Sequence, residues 1–178
     1  MRILLARDSF TPTSPRKATT FIEQLVRQAP FAGHELRELV VDCIETDDEP
    51  EPFRTTTRRR LDEEIGSFDP QVVHVHGVSL LGHLVLETGA PYLISAFSED
   101  FLSEPDGLVA DSPIQQAFEN AARVLVDSPA ARQSIQDQFG ELDTIAIIPD
   151  MTAASSPADS YAWLWEVYRL VAATRRAP

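Results

Sequence analysis

The sequence predicts an α/β fold: a single doubly wound, mostly parallel sheet with helices on both faces. Three observations lead there. Apolar runs of strand length recur along the chain, and most are continuous rather than alternating, as in strands covered on both faces. Segments with helical spacing lie between them, so strand and helix alternate as in βαβ units. Four Ser-Pro dipeptides precede helical patterns, at Ser14-Pro15, Ser112-Pro113, Ser128-Pro129 and Ser156-Pro157. Serine there caps an orphan N–H, and proline at the first helical position lacks an N–H that would go unpaired.

In chain order, strands are expected at 2–6, 36–41, 72–76, 92–96, 123–126 and 144–148. After the first strand, Ala18, Phe21, Ile22, Leu25, Val26 and Ala29 recur at helical spacing. The acidic, proline-bearing stretch 45–53 reads as a solvated loop. Arg54, Arg58, Arg59 and Arg60 follow, then Asp62, Glu63 and Glu64, a pattern that suits mutual neutralisation on a helix better than a phosphate grip. Ser14, Ser112 and Ser156 read as helix caps; Gln115 and Asp159 stand three residues after theirs. The stretch 151–160 is small and polar, a linker. Beyond it Tyr161, Leu164, Trp165, Tyr168, Val171 and Ala172 line one face of a last helix, with Arg175 and Arg176 at its C-terminal end. Trp163 lies off that face and marks either a partner surface or a site covered by the linker. The expected organisation is a Rossmann-like domain over 1–150, a linker over 151–158, and a helix over 159–176 packing back on the domain.

Composition bounds the function. With 178 residues the chain can bury one real core, and its 43% hydrophobic and 24% charged content suits a globular protein. Cys43 is the only cysteine, which leaves no disulfide framework and no cysteine-based zinc cluster. A net charge of −13 argues against nucleic acid and acidic membrane surfaces as partners. Lys17 is the sole lysine and has no P-loop around it. No apolar run is long enough to span a bilayer, and the short run before Asp8 is no secretory signal, so the cytoplasm is the expected location.

Three stretches resemble one family. FDPQVVHVHGVSLLG is similar to the third strand and following turn of the N-terminal domain of family 4 glycosyltransferases, of the GT-B type. ETGAPYLISAFSEDF resembles its next strand, which begins Gly-x-Pro. NAARVLVDSPAARQSIQDQFGELDTIAIIPD resembles the stretch that closes that domain, with Ser128 and Ile148-Pro149-Asp150 at the family's marked positions. The last helix resembles the one that crosses back onto the N-terminal domain. The resemblance covers most of the chain. It implies the Rossmann-like, acceptor-side half of a GT-B enzyme.

This sequence also departs from the pattern. Only the linker separates Ile148-Pro149-Asp150 from the last helix, where the family carries its donor-binding domain. Two glutamates eight apart, the family's donor motif, are absent from the sequence. The Gly-rich turn after the first strand is replaced by RDSFTPTSPRKATT, and the family's functional histidine by Phe97 or Ser98. Neither can serve as a base as an imidazole can.

Doubly wound sheets bind ligands outside the carboxyl ends of their strands. The candidate ligand-binding residues there are Asp8, Ser9, Arg16, Lys17, His76, Gly77, Ser98, Glu99, Asp100 and Ser128. Arg16 and Lys17 lie close to the helix start near Ser14, which could attract an anion but reads better as a capped and solvated helix start. His74 and His76, two apart on a strand, share a face. A metal there would need a third ligand that nothing in the sequence demands. His74 is expected in the core, hydrogen-bonded, and His76 at the crevice. His34 and His83 are expected to be structural or solvated. No cofactor and no metal is expected.

Three functions stay open. The first is the acceptor-binding subunit of a split, nucleotide-sugar-dependent glycosyltransferase, inactive alone. Its partner would be a second chain carrying the nucleotide-sugar domain, and its acceptor a sugar or lipid-linked molecule. The second is a non-catalytic sugar- or protein-binding derivative; a homo-oligomer is the alternative to a second subunit. The third is an unrelated small-molecule enzyme on a similar sheet, disfavoured because no nucleophile–base set is present.

Overall fold

The structure is a computed structural model and describes residues 1–8, 16–41, 50–101, 112–149 and 157–174. Six strands form one sheet: β1 (Arg2–Asp8), β2 (Glu35–Val41), β3 (Val72–His76), β4 (Tyr92–Ala96), β5 (Val124–Val126) and β6 (Ile145–Ile147). All pairings are parallel, in the order β2-β1-β3-β4-β5-β6. The order reverses between β1 and β3, which is the switch point where such sheets open a crevice beyond the strand ends.

The helices are α1 (Arg16–Gln28), α2 (Pro50–Phe68), α3 (Leu80–Thr88), α4 (Pro113–Asn120), α5 (Pro129–Phe139) and α6 (Pro157–Ala173). They cover both faces, so every residue of β3, β4 and β5 is buried, and the continuous apolar runs follow from that. On one face Leu4, Ala6, Val73, Val75, Ile94 and Val126 pack against α2, α3, α4 and α5. On the other, Ile3, Leu5, Val72, Leu93 and Leu125 pack against α1 and α6. The edge strands β2 and β6 are less buried, as one-sided neighbours require.

The Ser-Pro signals act as the sequence suggests wherever they fall among described residues. Ser112 accepts from the Gln115 amide and Ser128 from the Ala131 amide, each at 3.1 Å. Ser14 and Ser156 lie outside the described residues, as do Cys43, Arg175 and Arg176. Ser79 adds a cap the sequence reading missed, at the start of α3. Three of the four arginines meet acids: Arg58 meets Asp62 and Glu87, Arg54 meets Glu87, and Arg59 faces Glu63, while Arg60 donates to the Val40 carbonyl.

Three expectations need correction. The stretch 45–53 is not all loop, because α2 begins at Pro50. Pro50 and Pro52 fall in the first helical turn, where a missing N–H costs nothing. Residues 45–49 lie outside the described residues. Likewise α6 begins at Pro157, inside the stretch read as linker. Finally, Val26 is exposed, and Trp163 is half-buried against the α1–α6 side. The α1 core face is Phe21, Ile22 and Leu25, with Ala29 buried just past the helix; the side chain of Ala18 is not described. Among the described residues no helix is long and apolar enough to cross a membrane.

Candidate functional site

The carboxyl ends of β1, β3, β4 and β5 bring most of the candidate residues to one rim. Asp8 ends β1, His76 ends β3, Gly77 follows it, and the 3₁₀ turn Ser98–Phe101 follows β4. Ser128 stands after β5, at the cap of α5. Ser9 lies outside the described residues, and the side chains of Arg16, Lys17 and Glu99 are likewise not described.

Strand alternation divides the rim. Leu4 and Ala6 face the α2–α5 side, so Asp8 faces it too. Its carboxyl is pushed above the ordinary aspartate range by burial, and a hydrogen bond from Ser79 pulls the other way. Val72 faces the α1–α6 side, so His74 and His76 do as well. Asp8 and His76 therefore flank the switch point from opposite faces. Gly77, at φ 100°, turns the chain away after β3 in a conformation side chains resist.

The two histidines are joined through a residue the sequence reading missed. Ser95 on β4 places its Oγ 2.8 Å from Nε2 of His74 and 2.7 Å from Nδ1 of His76. The other nitrogen of His74, Nδ1, lies 2.6 Å from the Tyr168 hydroxyl on α6. Tyr168, His74 and Ser95 are fully buried, and His76 keeps 8% exposure. Phe97 makes edge-to-face contacts with both His76 and Phe21. Burial holds His74 at about 3, with the neighbouring His76 adding to the effect. Burial likewise holds His76 at about 4, aided by the charge of Arg7. Both imidazoles are neutral at ordinary pH. His74 is thus the hydrogen-bonded core histidine that the sequence suggested.

The second cluster links the β4 and β5 ends. Asp127 Oδ1 accepts from the Ser98 amide at 2.9 Å and the Ser98 hydroxyl at 2.7 Å. Ser128 Oγ lies 2.8 Å from Ser98 Oγ. Both serine hydroxyls are thus engaged within the protein, and the Asp127 carboxylate ties them together. Asp100 accepts from the Phe97 amide at 2.6 Å and shapes the turn. Asp127 was not singled out from the sequence; its place next to Ser128 at a strand end was the available signal. His83 lies 3.4 Å from Glu87, and His34 packs edge-on against Trp165, away from the rim.

Among the described residues no group of three or more potential ligands could hold a metal ion. His74 and His76 instead spend their facing nitrogens on Ser95. The site offers hydrogen-bond donors and acceptors at the strand ends, and the His76 imidazole, nearly buried, is a weak base.

No protein-family model matches the sequence, and neither does any curated protein. Solved structures do match. A piece of sucrose-phosphate synthase from Thermosynechococcus elongatus superposes with a TM-score of 0.62 at 13% identity, covering 93% of this chain and 97% of that piece. The longer sucrose-phosphate synthase chain gives 0.59 at 13% identity, covering 90% of this chain and 52% of the other. UDP-GlcNAc 2-epimerase from Neisseria meningitidis, solved bound to UDP-GlcNAc, gives 0.56 at 8% identity, covering 95% and 50%. The chain spans about half the length of these longer proteins. Its fold is that of one Rossmann-like half of the GT-B architecture.

Proposed function

We propose that this chain is the acceptor-side, N-terminal-type domain of a split nucleotide-sugar-dependent glycosyltransferase, inactive until a second chain supplies the donor-binding domain. The carrying observation is the coverage: nearly the whole chain superposes on about half of the longer sucrose-phosphate synthase. Within the chain, β6 is followed by α6 across residues 148–156 alone, which leaves no room for a second Rossmann-like domain between them. The site is in keeping with this. It holds polar groups that suit sugar hydroxyls beside the switch point, and among the described side chains there it has no strong base. In this reading residues 1–150 form the domain, and α6 packs back on it. Asp8, Ser9, Arg16, Lys17, His76, Gly77, Ser98, Glu99, Asp100 and Ser128 remain the candidate contacts.

A second reading, a non-catalytic sugar- or protein-binding derivative, draws on one observation. Phe97 or Ser98 stands where the resembling family has its functional histidine; the Phe97 ring is packed into the core and the Ser98 hydroxyl is held by Asp127.

Purification from the native cell, followed by assay of sugar transfer from nucleotide sugars, tests both. The split-enzyme reading expects a stoichiometric glycosyltransferase-like chain to co-purify, and transfer only by the pair. Transfer by the isolated chain overturns it. A chain that purifies without such a partner, and binds a sugar or protein without transfer, replaces it with the second reading.

A further inference from the structure

The buried chain of hydrogen bonds from Tyr168 to His76 has a direction, and proton counting sets it. Among the described residues the Tyr168 hydroxyl has a single hydrogen-bond partner, Nδ1 of His74. The hydroxyl is fully buried, so its proton must go to that nitrogen or to nothing. If Tyr168 donates to His74 Nδ1, then the neutral imidazole carries its proton on Nε2. That N–H donates to Ser95 Oγ, at 2.8 Å. Ser95 has one proton of its own, which is left for Nδ1 of His76, at 2.7 Å. His76 must then carry its proton on Nε2. Every group from the Tyr168 hydroxyl to Nδ1 of His76 is satisfied this way. In the reverse direction His74 Nδ1 donates to Tyr168, and the Tyr168 proton is stranded in the core.

His76 Nε2 has no partner among the described residues. It is also not one of the buried unpartnered nitrogens, which are His34 Nδ1 and His83 Nδ1. That nitrogen is therefore not sealed in the core: it belongs to the last residue of β3, beside the β1–β3 switch point.

We infer that Tyr168, acting through His74 and Ser95, is a positioning residue that fixes His76 as the Nε2–H tautomer and presents a hydrogen-bond donor at the rim. The ligand group it takes is an acceptor oxygen: a hydroxyl, carbonyl or phosphoryl oxygen. His76 does not abstract a proton there, because the nitrogen that faces the ligand already holds one. The inference concerns the chain as it stands and does not require the split-enzyme reading; either can fail alone.

The test is a two-bond nitrogen–proton correlation spectrum of the isotope-labelled protein at neutral pH. Both His74 and His76 are expected with a bare Nδ1 and a protonated Nε2. Slowly exchanging hydroxyl protons of Tyr168 and Ser95 are expected to correlate with Nδ1 of His74 and of His76. Tyr168→Phe should abolish the first correlation and shift the nitrogens of His76, which has no bond to Tyr168, because the direction is no longer fixed. A wild-type His76 protonated on Nδ1 overturns the inference. So does a folded Tyr168→Phe variant whose His76 nitrogens do not move. Should that variant fail to fold, the wild-type spectrum alone decides.

Discussion

The hydroxyl of Tyr168 on the last helix lies 2.6 Å from Nδ1 of His74 on the third strand, 94 positions earlier in the chain. This one bond ties α6 to the centre of the sheet and satisfies two polar groups that would otherwise be buried at a cost.

Tyr168→Phe keeps the ring and removes the bond. The loss leaves His74 Nδ1 buried without a donor, which costs about 1–3 kcal/mol. Urea unfolding should show a lower midpoint with an unchanged slope, since the surface exposed on unfolding stays the same.

Stability should fall on mild acidification. His74 and His76 are held at about 3 and about 4 in the folded protein, against an ordinary 6.5. Between 6.5 and those values the unfolded chain binds the protons and the folded one does not, so unfolding becomes easier as pH drops. Each histidine contributes a loss of about 1.4 kcal/mol per pH unit through that window. Asp8 has the opposite sign: its raised carboxyl favours the folded state below 3.8, an advantage lost as pH rises through the folded value. The histidine pair should therefore dominate from pH 6.5 down to about 4. Denaturant midpoints measured across that range check it, and His76→Gln should flatten the curve.

Asp127→Ala should loosen the turn after β4. Its Oδ1 holds both the amide and the hydroxyl of Ser98. Bonds to a charged acceptor are worth about 1.5–3 kcal/mol. Faster amide hydrogen exchange at Ser98 should accompany the loss, with the β1–β3 pairing unaffected.

Gly77→Ala should destabilise through the backbone alone. The residue sits at φ 100°, yet an added Cβ would meet no atom within 4 Å. A cost of about 1–3 kcal/mol is expected. A neutral result in thermal unfolding would mean that the turn after β3 relaxes freely.

The sheet was legible because burial on both faces leaves a plain signature. The runs over 72–76 and 92–96 became β3 and β4 without adjustment, whereas β1 gained Arg7 and Asp8. Those two are polar, so apolarity alone ends the strand early, although the parallel ladder continues to Val41 of β2. The start of α2 was missed because prolines read as breakers unless the first turn is recognised. The site was legible in part. Spacing placed His74 and His76 on one face, but spacing cannot name what that face meets. Ser95 and Tyr168 lie 21 and 94 residues from His74, and only the register of β3 on β4 and the docking of α6 bring them together. Asp127 was overlooked for a similar reason, since its partner Ser98 is 29 residues away.

The bond between Tyr168 and His74 also has a consequence in time. Synthesis delivers the six strands before α6. Until that helix emerges from the ribosome, His74 has no hydroxyl at its Nδ1, and the α1 side of the sheet lacks Leu164, Trp165 and Tyr168. A contact of such long range is slow to form, and the apolar surface it leaves open is a hazard meanwhile. The nascent chain thus passes through an interval in which a sheet with one face only half covered waits for its last helix.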